Sequence, residues 1–200
     1  MDLLVVGLGN PGPEYAGTRH NIGADAVTLL VDRHHGSFAT EKGLRSRVAR
    51  IRIDGHPVLC GVPLTFMNES GLAVAPLVRR AGIIGAADDG GGGVATGLVV
   101  VHDELDLPSG RVKVKAGGGT AGNNGLKSIH AHLHTGDYLR VRIGIGKPPG
   151  RQPGADYVLK RPGRDEREAL AVAAEVAADA VELIVTTGVE AAMNRINTAE

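Results

Sequence analysis

Polar side chains that could carry chemistry stand at four points of the chain, each beside an apolar or glycine-rich segment. These residues are Asn10 and His20 in one loop, Asn68, the run His102-Asp103-Glu104, and Asn123 with Asn124. A histidine held by an aspartate keeps one tautomer and can take a proton from water near neutral pH. Asparagine carboxamides can grip amide and carbonyl groups. These types favour water-mediated hydrolysis of an ester or amide by His20 and Asp103. The alternatives are a His20 that only packs and an Asp103 that caps a turn.

Other catalytic and metal-binding patterns do not occur in the sequence. No serine lies in a nucleophile elbow, no cysteine–histidine cluster has zinc-site spacing, and no segment matches G-x-x-x-x-G-K-[ST]. His130 and His134 would share a helix face, but only Lys127 and no acid lies nearby, which favours a solvated face over a metal site. Cys60 lies in the apolar run PVLCGVP, so we predict an inert buried thiol, no internal disulfide and a reducing compartment.

Gly7, Gly9 and Gly12 spell G-x-G-x-x-G directly after an apolar run. A dinucleotide-binding turn needs a helix that starts at once after these glycines, with its amides on the pyrophosphate. Pro11 and Pro13 remove amide donors at that place, and the helical pattern begins only near residue 21. The segment therefore indicates a stiff loop at a strand tip, and we predict no cofactor.

Apolar periodicity predicts an α/β fold in which one domain spans residues 1–200 and a mixed central β-sheet is flanked by helices. The predicted strands are 2–6, 46–53, 57–62, 98–106, 111–119 and 138–146. The predicted helices are 21–35, 68–82, 123–134 and 164–188, the last within a C-terminal helical region at 164–197. Asp54-Gly55 is a hairpin signal, and the glycine-rich stretch 85–97 is predicted to be a surface loop. Because ligands lie beyond the carboxyl ends of strands in such sheets, the chemistry is expected at that edge.

The helix ends carry further predictions. Asn68 is a candidate N-cap of the second helix, and Pro76 predicts a kink or an early end within it. Asp165 and Glu168 have the spacing of a capping box, and Gly188 is the predicted stop of the last long helix. No apolar run approaches the roughly 20 residues that span a bilayer, so we expect a cytosolic chain without membrane association.

Charge is unevenly distributed although the formal net charge is zero. Between residues 108 and 149, seven basic residues stand against one acidic residue, and such a one-sided field can hold a polyanion. Arg111, Lys113 and Lys115 alternate, so we predict that they project from one strand face. The glycine loop that follows leads to a helix N-terminus at Asn124, whose amides could join Lys115 in a phosphate cradle. Since aromatics make up only 2% of the chain, a folded RNA held by phosphate and shape contacts is favoured. The alternative is an exposed strand face with routine charges.

Five segments, in this order, resemble bacterial peptidyl-tRNA hydrolases. They are VVGLGNPGPEYAGTRHNIG, PLTFMNESG, HDELDLPSG, KAGGGTAGNNGLKS and LRVRIGIGKP, and they cover most of residues 3–160. The resemblance implies a monomeric, cytosolic hydrolase without metal or cofactor. Such an enzyme cleaves the ester between a peptide and the 3′ ribose of tRNA, and so recycles tRNA from prematurely released peptidyl-tRNA.

The resemblance also implies roles for nine residues by position. They are the general base His20 with its orienting partner Asp103 and, near the attacking water, Asn10; the substrate-binding residues Tyr15, Met67, Asn68 and Asn124; and the tRNA phosphate clamp Lys115 and Arg142. One position departs from the family pattern, since Asn123 stands where the family often has histidine. Asn123 cannot become positively charged, so we expect the local tRNA contact or the pH response to differ there.

Two other classes of function stay open on the residues alone. A non-enzymatic RNA-binding module would use only the basic strand and the helix N-terminus. A dinucleotide enzyme would use the glycine motif, and titration with NAD(H) would then show micromolar binding.

Overall fold

One mixed sheet forms the centre of the computed structural model, which describes residues 3–83 and 95–199. Its strands are β1 (Leu3–Gly7), β2 (Ala39–Glu41), β3 (Ser46–Ile53), β4 (His56–Pro63), β5 (Ala95–Glu104), β6 (Val112–Ala116) and β7 (Tyr138–Gly144). The spatial order is β2-β3-β4-β1-β5-β7-β6. β1 runs parallel to β4 and β5, and β5 runs parallel to β7, whereas the β2–β3, β3–β4 and β6–β7 pairs are antiparallel. The carboxyl ends of β1, β4, β5 and β7 therefore meet at one edge, as expected from the sequence.

Helices cover both faces of the sheet. They are α1 (Ile22–Arg33), α2 (Ser70–Arg80), α3 (Asn124–Leu133), α4 (Gly154–Val158), α5 (Arg164–Thr187) and α6 (Val189–Thr198). Buried residues of α1, α4, α5 and α6 join one apolar core, and those of α2 and α3 join the other. β5 serves both cores because its side chains alternate, with Val99 and Val101 in the first and Leu98 and Val100 in the second. None of the helices of the described segments is long and apolar enough to cross a membrane.

Gly7 of the N-terminal motif and Gly23 in the first turn of α1 serve close packing. A Cβ on Gly7 would lie 2.4 Å from the carbonyl oxygen of Gly23, and a Cβ on Gly23 would lie 2.2 Å from that of Val101. The amide of Leu8 donates to the Val101 carbonyl, and the amide of Ala24 donates to the Leu8 carbonyl, both at 3.0 Å. The start of α1 can thus lie against the ends of β1 and β5, which is how the loop before α1 reaches the tip of β5.

The predicted fold class and most predicted elements are confirmed, including the hairpin. Asp54 and Gly55 both have positive φ and join β3 to β4, as the two-residue turn predicts. Gly188, with φ of 88°, ends α5 as predicted. The short strand β2 and the short helix α4 were not predicted, because three- and five-residue elements leave little periodic signal.

Two predictions about the second helix are wrong, namely that Asn68 caps it and that Pro76 ends it early, whereas the kink given as the alternative for Pro76 stays a prediction. Residues Met67–Glu69 form a 3₁₀ turn, so α2 begins at Ser70 and Asn68 does not cap it. Pro76 does not end α2, which continues to Arg80. Leu77, which follows the proline, is fully buried, and its packing outweighs the backbone hydrogen bond that proline removes.

Two further boundaries shift relative to the sequence predictions. Gly163, not Asp165, occupies the N-cap position of α5, so the capping box does not form. Asp165 instead lies in the first turn, where a carboxylate still favours the helix dipole. Of the predicted surface loop at 85–97, residues 85–94 lie outside the described residues, and the last three belong to β5.

Candidate active site

His20 and Asp103, 83 positions apart in the chain, meet at the carboxyl edge of the sheet. His20 Nδ1 lies 2.8 Å from Asp103 Oδ2. Both residues are buried, at 8% and 4% exposure. Because the carboxylate accepts, Nδ1 carries the proton of neutral His20 and Nε2 keeps its lone pair. The pair thus has the arrangement of a base and its orienting carboxylate.

The second oxygen of Asp103 is also occupied. Asn123 Nδ2 donates to Asp103 Oδ1 at 3.1 Å, and Asn123 Oδ1 accepts from the amide of Leu126 at 3.1 Å as the N-cap of α3. A buried carboxylate is tolerated when both of its oxygens accept hydrogen bonds. Asn123 therefore links the base–carboxylate pair to the start of α3.

The neighbours of Asp103 on β5 are buried as well. Glu104 Oε2 accepts from Arg142 Nε at 3.0 Å, and Glu104 Oε1 accepts from the amide of Asp106. His102 Nδ1 lies 2.7 Å from the backbone oxygen of Asp103, and burial lowers the pKa of His102. His102 therefore stays neutral at physiological pH and supports the strand end rather than facing solvent.

A cavity of about 210 Å³ opens beside this pair. His20, Asp103, Asn123 and Asn124 line one part of it, and α4 contributes Ala155 and Val158 to another. The cavity therefore combines a base with carboxamides next to an apolar wall, which suits a neutral acyl group.

Asn10 lies in a neighbouring pocket and is held from two sides. Its backbone amide donates to Asn21 Oδ1 at 2.8 Å, and Asn21 Nδ2 donates back to the Asn10 carbonyl at 2.9 Å. Asn10 Oδ1 accepts from the amide of Met67 at 2.7 Å. Among the described residues, the NH₂ group of Asn10 then has no hydrogen-bond partner and is free to donate. Asn21, which holds the backbone of Asn10, directly follows His20 in the chain.

The other predicted substrate-binding residues are placed around Asn10 and α3. Tyr15 packs edge-to-face on Phe66, with ring centroids 6.2 Å apart. Met67 is buried, and its Sδ lies 2.6 Å from where a Cβ on Gly125 would be, so it packs against the start of α3. Asn68 is exposed. These residues do not line the His20 cavity itself, but Met67 connects Asn10 to the helix that bears Asn124.

Lys113, Lys115 and Arg142, here called the basic face, project from one side of β6 and β7. Lys113 pairs with Arg142 in the antiparallel register, and Lys115 pairs with Arg140, so all four side chains lie on the same side of the sheet. Arg140 is not counted in the basic face because it is buried. Lys115 is exposed, whereas Arg142 is half-buried beside Glu104. The two predicted clamp residues thus lie on neighbouring strands.

Arg111 does not join the basic face, which corrects the sequence prediction. It precedes β6, and its guanidinium donates to the carbonyls of Asn197, at 2.8 Å, and Ala199 at the end of α6. Lys113 and Lys115 do alternate along β6, but the C-terminal helix covers the start of this strand, and its last carbonyls bind the Arg111 guanidinium.

Two buried arginines were missed as contributors to the site. Arg140, 3% exposed, donates to the carbonyls of Gly118, Gly119 and Gly136, so it holds the glycine loop that precedes α3. Its only sequence signal was an arginine between two apolar residues of a strand, "LRV", which marks a cation on a buried strand.

Arg19 ties the segment before α1 to the C-terminal region. Its Nε donates to Glu166 Oε1 at 2.7 Å, and its guanidinium lies 4.1 Å from the ring centroid of Tyr157. Glu166 lies 147 positions away, so no local pattern could reveal this contact. The network positions α4 beside the residue that follows Arg19, which is His20.

The structure confirms the predicted burial of Cys60 but not the predicted helical position of His134. Cys60 is fully buried, and burial raises the pKa of its thiol to about 12. His134 adopts a left-handed conformation just past the end of α3, so it does not continue the helix that carries His130, contrary to the shared face expected from the sequence.

Relatives of this chain are found among both sequences and solved structures. The profile of the family described as Peptidyl-tRNA hydrolase matches residues 4–200. A peptidyl-tRNA hydrolase of Cutibacterium acnes is 46% identical, over 97% of this chain and 97% of its own. One from Nocardia farcinica is 48% identical, over 97% of this chain and 95% of its own. The crystal structure of peptidyl-tRNA hydrolase from Acinetobacter baumannii has a TM-score of 0.89 at 36% identity, covering all of this chain and 96% of that one. The chain belongs to the peptidyl-tRNA hydrolase family.

Proposed function

We propose that this protein cleaves the ester bond between a peptide and the 3′ ribose of tRNA, with His20 as the general base. The observation that carries this is the 2.8 Å contact of His20 Nδ1 with Asp103, beside a cavity lined by carboxamides. Family membership supplies the substrate class, and the paired side chains supply the means to activate water.

The reaction follows from the tautomer of His20. Asp103 holds the Nδ1 proton, so Nε2 can accept a proton from a water molecule as that water attacks the ester carbonyl. The new C–O bond forms a tetrahedral oxyanion. The imidazolium then returns a proton to the ribose 3′ oxygen as the ester C–O bond breaks. The products are a peptide carboxylic acid, which loses its proton to solvent to become the carboxylate, and tRNA with a free 3′ hydroxyl. Asp103 stabilises the transient imidazolium.

Carboxamides are the candidate groups for holding the acyl portion. The free NH₂ group of Asn10 can donate to a peptide carbonyl, because Met67 already occupies its oxygen. Asn68 and Asn124 are exposed, and Asn124 lines the His20 cavity. A donor near the developing oxyanion typically contributes about 3 kcal/mol. Gripping the amide beyond the esterified residue would make the enzyme require an N-blocked substrate.

The basic face is the candidate site for the tRNA backbone. Lys115 offers an exposed ammonium, and Arg142 keeps its two terminal guanidinium nitrogens beyond the Nε bond to Glu104. Both are suited to a phosphate, the former as a point charge and the latter through a planar fork. The N-terminus of α3 lies at the end of the adjacent glycine loop and favours an anion as well.

We further propose that the protein acts as a monomer in the cytoplasm, without a cofactor and on the acceptor end of tRNA. The single cysteine is buried and unpaired, in keeping with a reducing compartment.

The test is release of N-acetylated aminoacyl groups from tRNA in the presence of EDTA, with unblocked aminoacyl-tRNA as the control substrate. We expect rapid release from the blocked substrate and little from the control. Equal rates for the two substrates would contradict the proposed grip on the peptide amide. A pure RNA-binding module would instead bind tRNA and release nothing.

A further inference from the structure

Asn123 is the one described side chain that touches both Asp103 and the backbone of α3. The sequence singled it out as a departure from the family pattern, and none of the steps above uses it. We propose that Asn123 is a positioning residue, which fixes the carboxylate of Asp103 and through it the imidazole of His20. This inference rests on the proposed roles of His20 and Asp103.

The backbone leading to Asn123 sets its direction. Ala121 and Gly122 both have positive φ, 46° and 80°, and the amide of Asn123 closes this turn on the carbonyl of Thr120 at 2.9 Å. Positive φ is uncommon for alanine, so this turn is held by its surroundings. Asn123 thus leaves the turn in one direction, into the first turn of α3.

The two ends of the carboxamide make the orientation of Asn123 unambiguous. Its oxygen must accept, because its partner is the amide of Leu126, and its NH₂ must donate, because its partner is the carboxylate of Asp103. With both ends engaged, the NH₂ group cannot turn away from Asp103 without giving up the helix cap. The hydrogen bond at 3.1 Å is therefore built into the fold.

The consequence for catalysis lies in the torsional freedom of Asp103. The terminal torsion of an aspartate is broad, so a carboxylate that is held by only one oxygen can rotate. His20 occupies Oδ2 and Asn123 occupies Oδ1, which leaves the carboxylate a single plane. Losing the Asn123 bond would leave a buried, charged oxygen without a partner, and the His20 ring would lose its fixed orientation.

Two substitutions separate this role from helix capping. Serine and aspartate cap helices about as well as asparagine, so Asn123→Ser and Asn123→Asp both keep the bond to the Leu126 amide. Serine is too short to reach Asp103, and aspartate puts a second negative charge beside it. We expect kcat to fall about tenfold for Asn123→Ser, and further for Asn123→Asp, with KM within about twofold of the parent. Tm should fall by roughly 2–8 °C for Asn123→Ser, because one oxygen of the buried carboxylate loses its partner, and further for Asn123→Asp.

A double-mutant cycle shows whether Asn123 acts through Asp103. In an Asp103→Ala background, Asn123→Ser should lower kcat for N-acetylated aminoacyl-tRNA no further, because the oxygen it positions is gone. Equal fold losses with and without Asp103 would overturn the proposal in favour of direct contact with substrate, as would a change confined to KM. Unchanged kcat in both Asn123 variants would leave only a helix cap.

The same cycle distinguishes failure of this inference from failure of the proposed mechanism. If Asp103→Ala alone keeps the parental kcat, the base–carboxylate mechanism is wrong and the inference falls with it. If Asp103→Ala is slow while Asn123→Ser is fully active, only the inference is overturned.

Discussion

The His20 cluster (His20, Asp103 and Asn123) and the basic face (Lys113, Lys115 and Arg142) hold their polar groups in different ways. In the cluster, both oxygens of the buried carboxylate accept hydrogen bonds, at 2.8 and 3.1 Å. On the basic face, Lys115 is exposed, and the charges project from one side of two strands. Bond cleavage needs catalytic groups whose positions are fixed before the substrate binds. A polyanion, in contrast, can be held by charged side chains that change conformation to meet its phosphates.

This comparison predicts different kinetic consequences in the two regions. Changes in the His20 cluster should act on kcat, because in the proposed mechanism its groups act on the reacting atoms or orient those that do. Changes on the basic face should act on KM and on salt dependence, because we propose that this face holds the tRNA backbone and takes no part in bond breaking. A variant that violates this division shows where the two regions are coupled.

The largest effect is expected for His20→Ala. Removing the base should lower kcat by roughly 10²–10⁴ while leaving tRNA binding almost intact. The measurement is steady-state hydrolysis of N-acetylated aminoacyl-tRNA. His56→Ala is the matched control, because His56 is exposed at the opposite end of β4 from the site. Turnover within threefold of the parent would reject the assignment of His20.

The next effect concerns the close packing that brings the cluster together. In Gly23→Ala the new Cβ would lie 2.2 Å from the Val101 carbonyl oxygen, so α1 must move away from β5. We expect a loss of about 3 kcal/mol in the free energy of unfolding, which lowers Tm by roughly 6–12 °C, together with reduced kcat. Gly43→Ala is the control, since nothing lies within 4 Å of its added Cβ. A stable but inactive Gly23→Ala would show that the cluster tolerates no shift.

The sequence predicted the parts of the His20 cluster better than their connections. Asp103 follows a continuous apolar run, and His20 ends a stiff loop, so strand-tip placement followed from periodicity alone. Their contact depends on β1 lying next to β5 and on glycines that admit α1. The neighbourhood of β1 and β5 is a matter of strand order in the sheet, which local sequence patterns do not encode. The meeting of the two side chains was therefore an expectation that only the three-dimensional arrangement could test.

Side-chain direction was the harder part to predict. Asn123 could be placed at the start of α3, but its reach to Asp103 depends on a turn with Ala121 at positive φ, which is uncommon for that residue. Arg111 was wrongly assigned to the basic face because its partners belong to α6, more than eighty positions away. Partners that belong to other elements of the fold thus account for both the missed and the misassigned residues.

A smaller effect is expected on the basic face. Lys115→Ala should raise KM about tenfold and leave kcat unchanged, and the dependence of KM on salt concentration should weaken. Lys42→Ala is the matched control, because Lys42 lies beside β2 at the far edge of the sheet from β6. A fall in kcat for Lys115→Ala would mean that phosphate binding also positions the ester, which would break the division between the two regions.

The smallest effect tests how much rigidity the basic face needs. Asn197 on α6 accepts from the amide of Val114 at 2.8 Å and donates to its carbonyl at 2.9 Å, so it pairs with the free edge of β6 as another strand would. Asn197→Ala exposes those groups to water, which should cost about 1 kcal/mol and lower Tm by roughly 2–4 °C. If charges on this face can adjust, KM should stay within about twofold of the parent.

Asn194→Ala, at an exposed position of the same helix, is the control for Asn197→Ala. A KM rise as large as that of Lys115→Ala would mean instead that the basic face is fixed as firmly as the His20 cluster, because loosening its edge strand would then misplace the phosphate contacts.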